Sequence, residues 1–181
     1  MTAALSAQKP ISPHLICGEA VFTPSFFAPY QAAIETALEI LCEVRRKIVD
    51  PYAVRSVTFR LKSPASIRGK LLKKRLPATA VCARIALQDI AGLRVVLDST
   101  PSVYRFAALL RQSSVWELVE EQDYIAHPKQ SGYRSLHLIV RIPVRVHNQV
   151  YLIPAEIQLR TAPMDIWASI EHELIYKPAQ H

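Results

Sequence analysis

Apolar residues recur along this chain with two different periods, and each change of period marks a new predicted element. Residues 24–49 carry apolar side chains at steps of three and four, which is typical of an amphipathic helix. Thr23 before Pro24 is a helix-start signal, and Asp50-Pro51 is a stop. The same helical period predicts four further helices, at residues 63–74, 80–87, 99–112 and 161–177.

Alternation of apolar and polar residues predicts five strands, at residues 54–62, 93–97, 115–124, 136–146 and 150–159. The last two strands flank a short polar turn at residues 147–149, so they form a predicted hairpin. Along the final strand, Glu156, Gln158 and Arg160 fall on one face because side chains alternate across a strand. The hairpin brings this polar face and the Gly132-Tyr133 loop onto one surface of the sheet.

The order of these elements favours an α+β fold, with a mixed sheet of about five strands covered by helices on one or both faces. A length of 181 residues suits one domain with a complete core. We therefore predict a single domain over residues 24–181. Residues 1–23 contain Pro10 and Pro13 and little periodicity, and we expect a loosely ordered lead-in there.

Composition narrows the classes of protein and partner. Half of the residues are apolar and a fifth are charged, which is typical of a globular protein. The sequence has no apolar run of membrane-spanning length and no signal peptide, so we expect a cytoplasmic protein without a membrane partner. Cys17, Cys42 and Cys82 are odd in number and widely scattered, which indicates free thiols. The net charge of +7 favours polyanionic partners such as nucleotides, RNA or an anionic surface.

A basic stretch runs from the first predicted strand into the helix that follows it. Arg60 and Lys62 share a strand face, while Ser66 and Lys70 lie four residues apart on the helix, with Lys73 adjacent. The free N–H groups at the helix start also favour anions. These residues form a predicted phosphate cradle, although their spacing also fits a solvated basic helix face.

Five segments of the chain resemble, in the same order, the synthetase domain of the RelA/SpoT homologue family, and most of all its stand-alone small alarmone synthetases. They read RLKSPASIRGKLLKK, QDIAGLRVV, DYIAHPKQSGYRSLHLIV, AEIQLRT and MDIWASIEHELIYK. The resemblance implies a nucleotidyltransferase-like α+β fold. It also implies a GTP pyrophosphokinase, which transfers pyrophosphate from ATP to the 3′-hydroxyl of GTP, GDP or GMP. The products would be AMP and the (p)ppGpp-type alarmones of the stringent response.

The resemblance further implies roles for individual residues, with ATP and guanine nucleotides as partners and Mg²⁺ as cofactor. Asp89 and Glu156 would be the catalytic and Mg²⁺-binding carboxylates. The implied ATP-binding residues are Arg60, Lys62, Ser66, Lys70, Lys73 and Arg94. The implied acceptor-binding residues are Lys129, Ser131, Tyr133, His137 and Gln158. Without the resemblance, Asp89 fits a capping role, Tyr133 a core tyrosine and His137 a structural histidine.

Four features leave alternatives open. Ser131 stands where the family commonly has an asparagine that helps to recognise the purine, so a toxic relative acting on adenine nucleotides or the tRNA 3′ end is an alternative. The tetrad Glu120-Glu121-Gln122-Asp123 lacks the basic pair of one long-enzyme subtype, which leaves the metal environment open. The basic helix also fits an RNA-binding module without catalysis. Related synthetases continue into further helices that build a tetramer, and their absence after His181 leaves the homo-oligomeric state open.

Overall fold

A computed structural model describes residues 21–48, 50, 52–146 and 148–176. The lead-in predicted for residues 1–23 therefore lies, except for its last three residues, outside the described residues, as do Cys17 and His147. The helices are α1 Pro24–Lys47, α2 Pro64–Lys73, α3 Ala80–Ala86, α4 Thr100–Arg111 and α5 Ala162–Tyr176. The strands are β1 Val54–Leu61, β2 Ala91–Leu97, β3 Glu117–Asp123, β4 Leu136–Val146 and β5 Gln149–Thr161. Every predicted element in this part of the chain is confirmed, with ends that differ by a few residues.

The helix starts follow the predicted capping chemistry. The side chains of Thr23, Ser63 and Ser99 each accept a hydrogen bond from the backbone N–H three residues later, and a proline follows each within two residues. Such caps satisfy donors that the first helical turn leaves unpaired. Helix α2, which carries the basic residues, therefore begins at a defined point next to the end of β1.

The five strands form one mixed sheet, as predicted, and their order in it is β1-β2-β5-β4-β3. Strands β2 and β5 are parallel, and the other neighbouring pairs are antiparallel. Directly paired residues share a face, so the register sorts the central strands into apolar and polar rows. In the polar row, Gly92 pairs with Glu156, while Gln158 pairs with both Arg94 and His137.

The apolar rows form the core together with α1 and α4. Leu93, Ile157 and Leu138 lie side by side across β2, β5 and β4, and all are almost fully buried. Phe106 of α4 and Ile34 of α1 pack into the same hydrophobic cluster. Because the helices α1 and α4 cover this face, the polar row is left for the opposite face, which α2 and α5 flank.

The cysteines and the helices of the described structure bear on two expectations drawn from composition. Cys42 and Cys82, the cysteines in the described part of the chain, are free thiols, as predicted. None of the described helices is long and apolar enough to cross a membrane.

Candidate active site

A cavity of about 990 Å³ lies over the polar face of the sheet, between α2 and α5. Among the described residues, seven cationic side chains and four carboxylates line it, so its charge is positive on balance. The cations are Arg60, Lys62, Lys70, Lys73, Arg94, Lys129 and Arg160, and the carboxylates are Asp89, Glu156, Glu171 and Glu173. A cavity of this size and charge suits a phosphorylated ligand larger than a single phosphate.

The α2 side of the cavity is a single helical face. Ser66, Gly69, Lys70 and Lys73 line the cavity at the three- and four-residue spacing of neighbours on a helix. A side chain added at Gly69 would meet no atom within 4 Å, so the wall is open at that point. The predicted cradle is therefore built from the side of α2 as well as from its N-terminal end.

Asp89 joins the basic residues of β1 and α2. Its Oδ2 accepts hydrogen bonds from the Nζ atoms of Lys62 and Lys70, both at 2.7 Å. Burial raises the pKa of the Asp89 carboxyl, but the two lysines outweigh it and hold that pKa below its usual value. The other oxygen, Oδ1, is buried and has no hydrogen-bond partner among the described residues. Asp89 is thus an ionised carboxylate with one oxygen still available.

Glu156 is held by two neighbours on the polar row. His137 Nδ1 lies 3.0 Å from its Oε1, and Gln158 Nε2 donates to its Oε2 at 2.7 Å. Burial raises the pKa of Glu156, but the hydrogen bonds from His137 and Gln158 outweigh burial, so the net shift is downward. Glu156 therefore enters the cavity as a fixed, ionised carboxylate.

The Tyr133 hydroxyl continues this chain of contacts behind Glu156. It accepts from Arg160 Nη2 at 2.6 Å and lies 2.8 Å from His137 Nε2. Arginine donates only, so the tyrosine proton is free to point to Nε2, which leaves Nδ1–H to donate to Glu156. Every polar group in the series is then satisfied, and the orientation of Glu156 depends in part on His137 and Tyr133, which precede it in the chain by 19 residues or more.

Arg160 is a buried cation that donates hydrogen bonds to several residues of this network. Its side chain is 4% exposed and also donates to Gln158 Oε1 at 2.9 Å and to Ser135 Oγ at 3.3 Å. On its remaining side, Nη1 donates to Asp165 Oδ1 at 3.0 Å. Asp165 lies in the first turn of α5, so Arg160 connects the sheet to that helix.

A smaller slot of about 110 Å³ opens between the side chains of Arg60 and Arg94. Gly92 and Glu156 also line it, and the Arg60 side chain runs alongside Gly92. Two guanidinium planes beside a slot suit a flat aromatic ring. The slot is continuous with the polar row that carries Glu156 and Gln158.

The loop between β3 and β4 places Lys129 and Tyr133. Asp123 Oδ1 accepts from the backbone N–H groups of Ile125 and Ala126, which shapes the start of the loop. The Lys129 ammonium lies 4.8 Å from the centre of the Tyr133 ring, so a cation covers that ring. A base that stacks on the same ring face therefore requires the Lys129 side chain to move.

Trp167 of α5 anchors the same loop. Its indole Nε1 donates to the Ser131 carbonyl at 3.2 Å. Gly132 next to it has a φ of +80°, a conformation that favours glycine, and a side chain there would lie 3.6 Å from the indole. The glycine of the Gly132-Tyr133 step is thus explained by its backbone geometry.

Comparison with known proteins agrees with the motifs. The family described as "Region found in RelA / SpoT proteins" covers residues 59–181. The chain belongs to the RelA/SpoT family. It is 37% identical over 145 residues to "GTP pyrophosphokinase YwaC" of Bacillus subtilis, a match that covers 80% of this chain and 69% of that protein. The resemblance drawn from the five segments is therefore confirmed.

Solved structures of RelA/SpoT proteins share the fold. The small alarmone synthetase 1 of Bacillus subtilis bound to its product pppGpp has a TM-score of 0.74 at 34% identity, covering 84% of this chain and 78% of that one. The same synthetase bound to AMPCPP has a TM-score of 0.69 at 31% identity, covering 84% and 77%. The mixed five-stranded sheet with flanking helices is therefore the architecture of a RelA/SpoT synthetase domain.

Most residues that the family resemblance singled out come together around the large cavity. Those that line it are Arg60, Lys62, Ser66, Lys70, Lys73, Asp89, Arg94, Lys129, Tyr133, Glu156 and Gln158. His137 is buried behind Glu156, and it contacts the cavity wall through that residue. Ser131 is not among the lining residues, and its backbone contacts Trp167 instead.

Helix α5 supplies cavity residues that sequence reasoning missed. Ala168, Ser169, Glu171, His172 and Glu173 all line the cavity. The apolar residues of α5 dominated the sequence pattern, yet Ile166, Trp167, Ile170 and Leu174 are all more than 40% exposed in the described structure. The polar positions between them, spaced three to four residues apart, are the sequence signal that could have identified the cavity face of α5.

The residues present fit a divalent metal ion such as magnesium. Asp89 Oδ1 is a buried carboxylate oxygen without a hydrogen-bond partner in the described structure, and Glu156 lines the same cavity. Mg²⁺ prefers one or two carboxylates and completes its shell with water and substrate phosphates. The described residues contain no cluster of three or more His, Cys, Asp and Glu side chains able to hold a metal ion. Asp89 and Glu156 are the groups that would hold Mg²⁺ together with a phosphorylated substrate.

Proposed function

We propose that this protein is a GTP pyrophosphokinase that transfers the β,γ-pyrophosphate of ATP to the 3′-hydroxyl of GTP, GDP or GMP. The observation that carries the proposal is the position of Asp89 and Glu156, two ionised carboxylates in one cavity, between a cationic helix face and Tyr133. Similar proteins support it, because one is named a GTP pyrophosphokinase and another is bound to its product pppGpp.

On the donor side, Arg60 and Arg94 hold adenine in the slot between their guanidinium groups, and Lys70 and Lys73 receive the triphosphate with Lys62 and Ser66. A similar structure bound to AMPCPP supports an ATP site. Positive charge placed where negative charge develops is the main source of catalysis in phosphoryl transfer. Mg²⁺, when bound at Asp89 and Glu156, supplies further positive charge to the phosphate oxygens.

On the acceptor side, Glu156 takes the proton of the 3′-hydroxyl. The 3′-oxygen forms a bond to the β-phosphorus of ATP, and the bond from that phosphorus to the α,β-bridging oxygen breaks, so AMP leaves with the electron pair. His137 and Gln158 hold the carboxylate in place, and its lowered pKa keeps it ionised before the proton arrives. Tyr133 stacks on the acceptor base, and Lys129 moves from that ring to an acceptor phosphate.

We further propose that residues 24–181 work as one synthetase domain in the cytoplasm, where ATP and guanosine nucleotides are available. The continuous hydrophobic cluster of α1, α4 and the sheet supports a single domain. The position of Ser131 outside the cavity supports a choice of acceptor made by other residues, so the departure at Ser131 does not by itself favour an adenine nucleotide.

The test is an incubation with ATP and Mg²⁺ and, in separate reactions, GTP, GDP, GMP, ATP alone or deacylated tRNA, with products resolved by anion exchange. AMP released in step with a guanosine 3′-pyrophosphate is the expected result. An adenosine product or a modified tRNA end, with no guanosine product, would show that the acceptor is an adenine nucleotide or tRNA and not a guanine nucleotide. Binding of RNA without any turnover would favour the RNA-binding module.

Changing Tyr133 to phenylalanine and to alanine separates stacking from hydroxyl contacts. Tyr133→Ala should raise the KM for the acceptor by about 5- to 150-fold, because base stacking on an aromatic ring contributes roughly 1–3 kcal/mol. Tyr133→Phe keeps the ring but removes the partner of His137 and Arg160, so kcat should fall while acceptor KM stays nearly unchanged. Steady-state kinetics of both variants check this, and equal KM values for alanine and phenylalanine would exclude stacking.

A further inference from the structure

Asp165 lies between two arginines that belong to different halves of the site. Its Oδ1 is 3.0 Å from Arg94 Nη1 and 3.0 Å from Arg160 Nη1. Arg94 is on β2 and borders the adenine slot, whereas Arg160 is on β5 and contacts Tyr133 and Gln158. A single carboxylate oxygen therefore holds two guanidinium groups that would otherwise repel each other at close range.

The two arginines depend on Asp165 to different extents. Arg160 is 4% exposed and donates to Tyr133, Ser135 and Gln158 as well, so three contacts besides Asp165 hold it. Arg94 is 30% exposed, its ion pair in the described structure is the one to Asp165, and its Nε has no hydrogen-bond partner there. Burial and the Arg160 charge lower the pKa of Arg94, and Asp165 opposes that shift. Arg94 is the arginine that moves if the carboxylate is lost.

We propose that Asp165 is a positioning residue for ATP, which acts by holding Arg94 beside the adenine slot against the charge of Arg160. Asp165 does not line the large cavity or the slot, so it acts through Arg94. The inference rests on the proposed function in one respect, the assignment of the slot to ATP. It adds a contribution from α5 to donor binding, whereas the residues proposed to bind ATP lie on or between β1 and α2 and on β2.

The change Asp165→Asn keeps the size of the side chain and removes its charge. We expect the dissociation constant for AMPCPP to rise on the order of tenfold, as for the loss of one charge-assisted contact of about 1.4 kcal/mol. The KM for the acceptor should stay within about twofold, because Arg160 keeps its three other contacts and stays in place on the acceptor side. Asp165→Glu restores the charge and should recover part of the AMPCPP affinity. Glu117→Gln, which removes one acid from an exposed ion pair with Arg141, is the matched control and should bind as the wild type does.

Titration calorimetry with AMPCPP on the wild type, Asp165→Asn, Arg94→Ala and the double variant tests the mechanism. If Asp165 acts through Arg94, the asparagine change has little further effect once Arg94 is alanine, so the two changes are not additive. Additive effects, wild-type affinity in Asp165→Asn, or a raised acceptor KM at unchanged AMPCPP affinity would overturn the inference. A thermal melt for each variant excludes misfolding, and Asp165→Ala, which also removes the charge, replaces Asp165→Asn in the cycle if the latter does not fold.

These outcomes separate the inference from the proposed function. A wild type that binds AMPCPP but forms no guanosine product overturns the proposed reaction, while the binding cycle still decides the role of Asp165. A wild type that binds no AMPCPP overturns this inference.

Discussion

Glu156→Gln is expected to lower turnover by a factor of roughly a hundred or more while AMPCPP still binds. Glutamine has the same shape but accepts no proton at neutral pH, and proton transfer by a positioned base contributes about 10²- to 10⁴-fold. The change also leaves the His137 Nδ1–H opposite a neutral amide in a nearly buried position. A single-turnover measurement with saturating ATP and acceptor, at fixed Mg²⁺, reports the chemical step directly.

Glu171→Gln is the matched control for this change. Glu171 lies in the same cavity and loses the same charge, but it belongs to α5, away from the polar row of His137 and Gln158. Its variant should keep most of the turnover. If both glutamine variants lose activity equally, the cavity charge matters and not the position of Glu156. If Glu156→Gln retains full turnover, Glu156 is neither the base nor a necessary ligand for Mg²⁺.

The polar face of β5 could be predicted from the sequence because strand periodicity is strict. A shift of one residue would exchange the buried Ile157 and Leu159 with Glu156 and Gln158, so burial alone determines the register. The cradle on α2 was predictable for a similar reason, since a cap, a proline and helical spacing determine which residues share its face. Both predictions rest on local patterns that tertiary structure did not override.

The side-chain network behind Glu156 could not be predicted in this way. Arg160 bonds to Tyr133, 27 residues earlier, and to Ser135, 25 residues earlier, and no local periodicity encodes such pairs. His137 was expected to touch the acceptor, but the structure places its ring between Glu156 and Tyr133. The sequence singled out residues that lie close together in the structure, whereas their order from the cavity inward depends on side-chain directions.

The cavity face of helix α5 could not be predicted from the sequence either. Its apolar face was evident from the sequence, and an apolar face normally packs on a core. In the described structure that face is largely exposed, while the intervening polar residues line the cavity. Hydrophobic pattern alone therefore points away from the functional side of this helix. Asp165 illustrates the consequence, because a first-turn acid is ordinarily explained by the helix dipole, yet here it joins two arginines.

Asp89→Asn is expected to have opposite effects on turnover and on metal-free nucleotide binding. Asp89 holds the ammonium groups of Lys62 and Lys70, which are the charges that a triphosphate must recruit. Without Mg²⁺, loss of the carboxylate frees both lysines and removes a repulsive charge. AMPCPP should therefore bind about fivefold tighter, as expected for about 1 kcal/mol of charge repulsion that remains after screening by solvent. With Mg²⁺ present, turnover should fall by a factor of roughly a hundred or more, because Asp89 Oδ1 is the oxygen available to the ion.

Calorimetry with AMPCPP in EDTA and in Mg²⁺, alongside turnover, measures both effects. Asp98→Asn is the control, since Asp98 is an exposed acid at the opposite end of β2 and is remote from the lysines. Weaker AMPCPP binding by Asp89→Asn in EDTA would mean that the carboxylate organises the lysines for the nucleotide and does not compete with it. Unchanged turnover in Mg²⁺ would exclude Asp89 as a ligand. The two readouts together distinguish a carboxylate that binds the metal ion from one that only neutralises the lysines of the α2 side. If Asp89 only neutralises the lysines, its variant should bind AMPCPP more tightly in both buffers and lose no turnover.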